Sequence, residues 1–243
     1  MVELRRQPPH PPVTPVAPAA QVIAAATPAR IVGRPIVIGV FGDSFAQGIW
    51  YALDHGLPPA RYKVIDFSRA ATGFTRPDVE DVTLDAQKAL GGRSIDIAVA
   101  DFGANDTQGI RDQGKVYPLL TPGWRTVYAG RIGRFVALLR SRGARVYWVG
   151  LPKMRSAAYD EHVADLMSFY AQTLGQLGVP LVSVRQLTVD RTGAFSPYLQ
   201  DAANRRVLMR TNDGIHMSMA GYGHIAQPLI DRLNADYPAA LLH

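Results

Sequence analysis

The sequence predicts an α/β fold: one three-layer α/β/α domain in which helices cover both faces of a five-stranded, mostly parallel sheet. Two observations carry this. After residue 35, short runs rich in β-branched and aromatic residues alternate with amphipathic stretches, the order that builds right-handed β-α-β crossovers. The runs are also apolar almost throughout, as strands covered on both faces must be. Length and composition agree, since 243 residues at 47% hydrophobic and 19% charged suffice for one large core and exclude a wholly disordered or collagen-like chain.

The first candidate strand is 35–41 (PIVIGVF), followed by a helix over 45–55. A second strand over 62–67 (YKVIDF) leads to a helix over 78–90, and a third over 95–102 (IDIAVADF) leads to a helix over 124–141. In that helix Val127, Ile132, Phe135, Val136, Leu138 and Leu139 recur with the 3.6-residue period of a core-facing stripe, and Arg142-Gly143 closes it. The fourth strand, 145–151 (RVYWVGL), precedes a helix over 159–177, the fifth is 179–184 (VPLVSV), and a last helix follows Ser218.

Ahead of these elements the composition changes. Eight of the 18 prolines fall in the first 35 residues, interleaved with Ala and Val, so residues 1–34 are expected to form an extended, disordered spacer and residues 35–243 the folded domain. Such spacers separate a signal or anchor from a catalytic domain, which suits an extracytoplasmic, periplasmic or envelope-tethered protein. Arg5 and Arg6 supply the start of an export signal, but the prolines and Gln21 interrupt the apolar run it needs, so a trimmed targeting segment and a cytoplasmic protein with a floppy tail are both open. No run of 18 apolar residues exists to span a bilayer.

The absence of Cys excludes a disulfide scaffold, a cysteine nucleophile and thiolate metal sites. The net charge of +6 comes from 22 Arg and 4 Lys spread along the chain rather than gathered in one arm, which favours an anionic polymer or envelope surface over nucleic acid.

Four segments carry chemistry. Gly42-Asp43-Ser44 follows the first strand and opens a helix, where unpaired N–H groups favour developing negative charge. Ala71-Thr72-Gly73-Phe74 follows the second strand, and Gly103-Ala104-Asn105-Asp106 ends the third. Backbone N–H groups of tight turns and a side-chain amide at such strand ends can donate to an oxyanion. Asp213-Gly214-Ile215-His216 precedes the last helix. A serine hydroxyl needs a neutral imidazole to take its proton, and a carboxylate three residues away on a short turn can hold that imidazole in one tautomer. Taken singly, each has an ordinary structural reading: Ser44 or Asp43 as a helix cap, Asp213 as a cap beside a surface histidine, Gly73 as a residue of special φ. His224 competes with His216 as a base but lacks a nearby preceding acid. A metal site from Asp213, His216 and His224 matches no ligand spacing, so neither metal nor cofactor is expected.

The joint order Ser, Gly, Asn, then Asp-x-x-His, at successive strand ends, resembles the SGNH/GDSL hydrolase superfamily over most of residues 31–237. The resemblance implies a flavodoxin-like fold and a serine esterase with Ser44 as nucleophile, His216 as general base and then acid, and Asp213 as the orienting carboxylate. It implies an oxyanion hole from the Ser44 and Gly73 N–H groups and the Asn105 amide, with Asp43 and Asp106 supporting the loops. The contexts 72–78 (TGFTRPD) and 150–155 (GLPKMR) resemble an extracytoplasmic bacterial subgroup whose substrates are poorly assigned.

The loop over 107–123 brings Arg111, Lys115, Tyr117 and the adjoining Trp124. The loop over 186–212 brings Arg191, Tyr198, Arg205, Arg206 and Arg210 beside Arg185. Aromatics and guanidiniums at a cleft suit sugars and their carboxylates. The expected substrate is an acylated carbohydrate or small ester, with a short, acetyl-like group removed. O-acyl transfer to a polysaccharide, or glycan binding without catalysis, are the alternative readings.

Overall fold

A computed structural model of the chain describes residues 33–76, 81–201 and 203–238. The proline-rich head up to residue 32 and the expected start of the second helix at Asp78 lie outside the described residues. Arg34, at the expected end of the spacer, forms a bidentate ion pair with Asp96 at 2.6 and 2.7 Å.

The main elements are β1 (Ile36–Gly42), α1 (Ser44–Gly56), β2 (Tyr62–Asp66), α2 (Val82–Leu90), β3 (Ile97–Asp101), β4 (Ile110–Asp112), β5 (Lys115–Tyr117), α3 (Pro122–Ser141), β6 (Arg145–Val149), α4 (Ala157–Gln176), β7 (Leu181–Val182), β8 (Tyr198–Gln200), β9 (Arg206–Leu208) and α5 (Met219–Asp236). A 3₁₀ turn, Arg185–Thr188, follows β7. All five expected strands are present, in one parallel sheet of order β2-β1-β3-β6-β7.

Residue alternation explains the layers. Ile36, Ile38, Val40, Tyr147 and Val149 face α1 and α5, where Phe45, Ile49, Leu53, Tyr222, Ile225 and Leu229 complete one core. Phe41, Ala98, Ala100, Val146 and Trp148 face the other way, against Val82 of α2, Trp124, Tyr128 and Phe135 of α3, and Phe169 and Tyr170 of α4. In this strand order the connections leave β1 in opposite directions, which opens a crevice at the carboxyl ends of β1 and β3.

Each of the five α-helices among the described residues begins on a side-chain cap: Asp43 on Phe45 N–H, Asp81 on Thr83 N–H, Thr121 on Trp124 N–H, Ser156 on Tyr159 N–H and Ser218 on Gly221 N–H. Two small hairpins were not expected. One, β4–β5, turns on Gln113 and Gly114, both at positive φ (47° and 78°), the signature of a type I′ hairpin; the other is β8–β9.

The α1–α5 contact is close enough to exclude a methyl group, because a Cβ on Gly48 would overlap the Tyr222 ring. Helix propensity alone favours Ala over Gly by about 1 kcal/mol. Overpacking of about 1–3 kcal/mol outweighs that gain. Gly48→Ala should therefore lower the melting temperature by several degrees, read by differential scanning calorimetry; an increase would show that the helices separate freely here.

Candidate active site

The site is assembled from the ends of β1, β2 and β3 and from the turn before α5. Ser44 is the first residue of α1, and its Oγ lies 2.8 Å from His216 Nε2. Asp43 rather than Ser44 caps the helix, accepting from Phe45 N–H at 2.9 Å, which leaves the serine hydroxyl directed at the imidazole. Gly42 is required here: its φ is +148° and a Cβ would collide with the Asp101 carbonyl of the neighbouring strand.

Asp213 does two jobs in its turn. One carboxylate oxygen accepts from Ile215 N–H (2.8 Å), His216 N–H (3.0 Å) and the Thr211 hydroxyl (2.7 Å), while the other lies 2.6 Å from His216 Nδ1. With Nδ1–H donating to Asp213, Nε2 is left to accept from Ser44. Gly214 has φ +73°, and Arg155 packs where its Cβ would stand. Arg155 clamps the turn, its N–H donating to Gly214 O (3.0 Å) and its guanidinium to Asn212 O (2.5 Å). Phe45 stacks on the imidazole at 5.3 Å.

Asn105 Nδ2 lies 3.1 Å from Thr72 O and 3.3 Å from Asp43 Oδ2, so one amide joins the loops after β1, β2 and β3. Asp106 is completely buried. It accepts from Thr75 N–H (2.9 Å) and the Tyr128 hydroxyl (2.7 Å). Gly73 is not at positive φ; it is glycine because a Cβ would overlap the Asp106 carboxylate. The seven expected site residues, Asp43, Ser44, Gly73, Asn105, Asp106, Asp213 and His216, thus fall in one locality. His224 does not join them: it lies on α5, bonded to Leu187 O at 3.0 Å.

Several supporting residues escaped sequence reasoning. Tyr128 and Tyr170 share a hydrogen bond at 2.6 Å, and Tyr170 continues to Phe102 O, so Asp106 is tied through α3 and α4 back to β3. Tyr159 donates to Ala104 O at 2.7 Å. The buried Arg131 guanidinium donates to Phe74 O and Asp112. A tyrosine or arginine in a helical stripe gives no sign of such a role until the partner loop is placed.

The reverse also occurs. Trp124 and Arg210, expected at the cleft, are buried: Trp124 donates to Gln108 O at 2.8 Å, and Arg210 to Lys153 O at 2.5 Å. Arg185 is held by Asp160 and Arg205 by Asp201. Arg210 and Arg185 are tied down by a carbonyl and a carboxylate, although one buried nitrogen of each has no partner among the described residues, and Arg205 pairs with Asp201 at the exposed surface.

The carboxyls divide by environment. Partial burial raises Asp213, but the hydrogen bonds from His216, Ile215 and Thr211 outweigh it and hold the group well below the ordinary carboxylate range. Burial pushes Asp43 up to about 7, against the Phe45 N–H bond and with the help of nearby Asp106. Burial, then the neighbouring Asp43, holds Asp101 well above the ordinary range, and neither of its carboxyl oxygens has a hydrogen-bond partner among the described residues. Burial likewise raises Asp106. No group of three or more His, Asp or Glu among the described residues is placed to hold a metal, and no described helix is long and apolar enough to cross a membrane.

The fold is similar to those of solved structures named as GDSL-like or SGNH hydrolases. Among solved structures, the chain is similar to a GDSL-like lipase from Bacteroides thetaiotaomicron (13% identity, TM-score 0.57, covering 84% of this chain and 93% of that one). It is similar to a protein assigned as an SGNH hydrolase from Slackia heliotrinireducens (18%, 0.56, 81% and 98%) and to an acetyl xylan esterase (15%, 0.58, 82% and 100%). The chain belongs to the DUF459 family, described as a protein family of unknown function, whose family model matches residues 37–232. Comparison with curated proteins gives no match.

The buried carboxyls set a pH dependence. Asp43 and Asp101 hold their protons to higher pH folded than unfolded, where an Asp titrates at about 3.9. Their contribution to stability is fully present below that value and is lost as pH rises through the folded values, about 7 for Asp43. Asp101→Asn removes one such group and the like charge beside the other. Its melting temperature should fall less between pH 5 and pH 8 than that of the wild type; an equal or steeper fall would show that these carboxyls do not carry the dependence.

Proposed function

We propose that this protein is a serine esterase that removes a short acyl group, acetyl by preference, from a carbohydrate through an acyl-enzyme on Ser44. The observation that carries the reading is the chain of contacts from Ser44 Oγ to His216 Nε2 (2.8 Å) and from His216 Nδ1 to Asp213 Oδ2 (2.6 Å). His216 Nε2 accepts the hydroxyl proton as Oγ bonds to the ester carbonyl carbon, and Asp213 stabilises the imidazolium that forms. The carbonyl oxygen, now an anion, is received by the N–H groups of Ser44 and Gly73 and by the Asn105 amide, which relaxes its hold on Thr72 O or Asp43 to do so. The proton on His216 passes to the departing sugar oxygen as the C–O bond breaks. Water, deprotonated by His216, then attacks the acyl-serine and releases the acid and free Ser44.

The carbohydrate part is supported by the basic composition, at net charge +6, and by a fold shared with an acetyl xylan esterase. An extracytoplasmic location fits the proline-rich head.

The mechanism is tested with an activated acetyl ester. Ser44→Ala should reduce turnover to background, and Asn105→Ala should reduce kcat by about 100- to 1000-fold with the fold intact by circular dichroism. Undiminished turnover in Ser44→Ala overturns the serine mechanism. If an added acceptor oligosaccharide becomes the main acylated product, the same triad serves transfer instead of hydrolysis.

A further inference from the structure

A second cleft, of about 680 Å³, opens between the 3₁₀ turn after β7, the β8–β9 hairpin and α5. Its walls include Asp190, Arg191, Tyr198, Gln200 and Arg206, none of which belongs to the triad or to the oxyanion-binding groups. We propose that this cleft is a subsite for an anionic glycan, one bearing uronic acid carboxylates, which seats the polymer while the ester is presented to Ser44. The proposal deepens the esterase reading and rests on it for the reaction that the bound polymer undergoes.

Three features support it. First, the cleft has an aromatic platform: Tyr198 is 38% exposed on β8, and the Arg206 guanidinium stacks 4.1 Å from the centre of its ring. An exposed tyrosine beside a guanidinium offers a flat face for a sugar ring and a cation for its carboxylate. Second, the charges are biased. Asp190 is occupied by its own turn, accepting from Thr192 N–H (2.8 Å), the Thr192 hydroxyl (2.6 Å) and Ala194 N–H (3.0 Å). Arg191 and Arg206 have no carboxylate within ion-pair distance among the described residues; Arg191 is fixed by Gln200 Oε1 at 2.8 Å and keeps its remaining donors free. Two guanidiniums with no ion-pair partner among the described residues, against one carboxylate engaged in its own turn, favour a carboxylated ligand.

Third, the cleft is joined to the triad. Tyr198 pairs with Leu208 across the hairpin, and Leu208 O accepts from the hydroxyl of Ser218, two residues beyond His216. The hairpin that walls the cleft is thus hydrogen-bonded to the start of the last helix, just after the turn that carries His216.

Binding can be measured without turnover by isothermal titration of the Ser44→Ala protein, which separates this proposal from the catalytic one. Tetragalacturonate is the anionic probe and xylotetraose the neutral one. Tetragalacturonate should bind, and adding Tyr198→Ala or Arg191→Gln should weaken it at least tenfold, while Arg134→Gln, an exposed guanidinium on α3, should not. The proposal is overturned if xylotetraose binds equally well, if neither sugar binds, if the cleft variants bind undiminished, or if inorganic phosphate at matched ionic strength displaces the uronate completely. Loss of esterase activity in wild type with tetragalacturonate binding intact would sink the catalytic reading and leave the subsite standing.

Discussion

The close approach of the Asp106 carboxylate to the backbone of Gly73 is the constraint on which the site's geometry depends. No side chain fits at residue 73, because the carboxylate occupies the place of its Cβ. From that position Asp106 binds Thr75 N–H and the Tyr128 hydroxyl, and Tyr128 reaches Tyr170, which returns to Phe102 O. One buried group thereby fixes the loop after β2 against the end of β3 and anchors both to α3 and α4. Asn105, the preceding residue, then has little freedom, and its amide falls between Thr72 O and Asp43. Such networks are worth more than their pairs taken singly, since every member is desolvated and nearly every donor is used.

Much of this was legible in the sequence for a simple reason: strand ends and helix starts are local. A run such as IDIAVADF reads as a covered strand from its own residues, and Gly42-Asp43-Ser44 announces its position by what flanks it. The site residues lie in such segments, but each segment alone has an ordinary structural reading, and it is their joint order at successive strand ends, with the resemblance it carries, that singles them out. The β4–β5 and β8–β9 hairpins had no such signal, because three-residue strands of mixed polarity carry neither period nor propensity. Their pairing is decided by turn geometry, including the positive φ of Gln113, which composition does not advertise.

Long-range polar support was equally hidden. Tyr128 sits within the apolar stripe of α3 and reads as core, which it also is; its partner Asp106 is 22 residues away. Arg210 and Trp124 misled in the opposite direction. An arginine in a long loop looks like surface until the fold supplies Lys153 O and Gly214 O as partners for its guanidinium, and only the tertiary structure shows that supply.

The distribution of carboxyl charge fits oxyanion chemistry better than motif order alone would suggest. A fully ionised Asp43 lying 3.3 Å from Asn105 Nδ2 would compete for that amide with any oxygen becoming negative above Ser44. Burial opposes this ionisation, and the neighbouring Asp106 carboxyl opposes it further, because like charges in a low-dielectric interior disfavour one another. Asp213 faces the opposite circumstance. It stands at the half-exposed turn with three N–H or O–H donors besides the imidazole, so it remains charged where an imidazolium has to be stabilised. The same residue type thus charges only at higher pH beside the proposed oxyanion-binding amide and stays charged behind the proposed base, and the difference comes from desolvation on one side and donor count on the other.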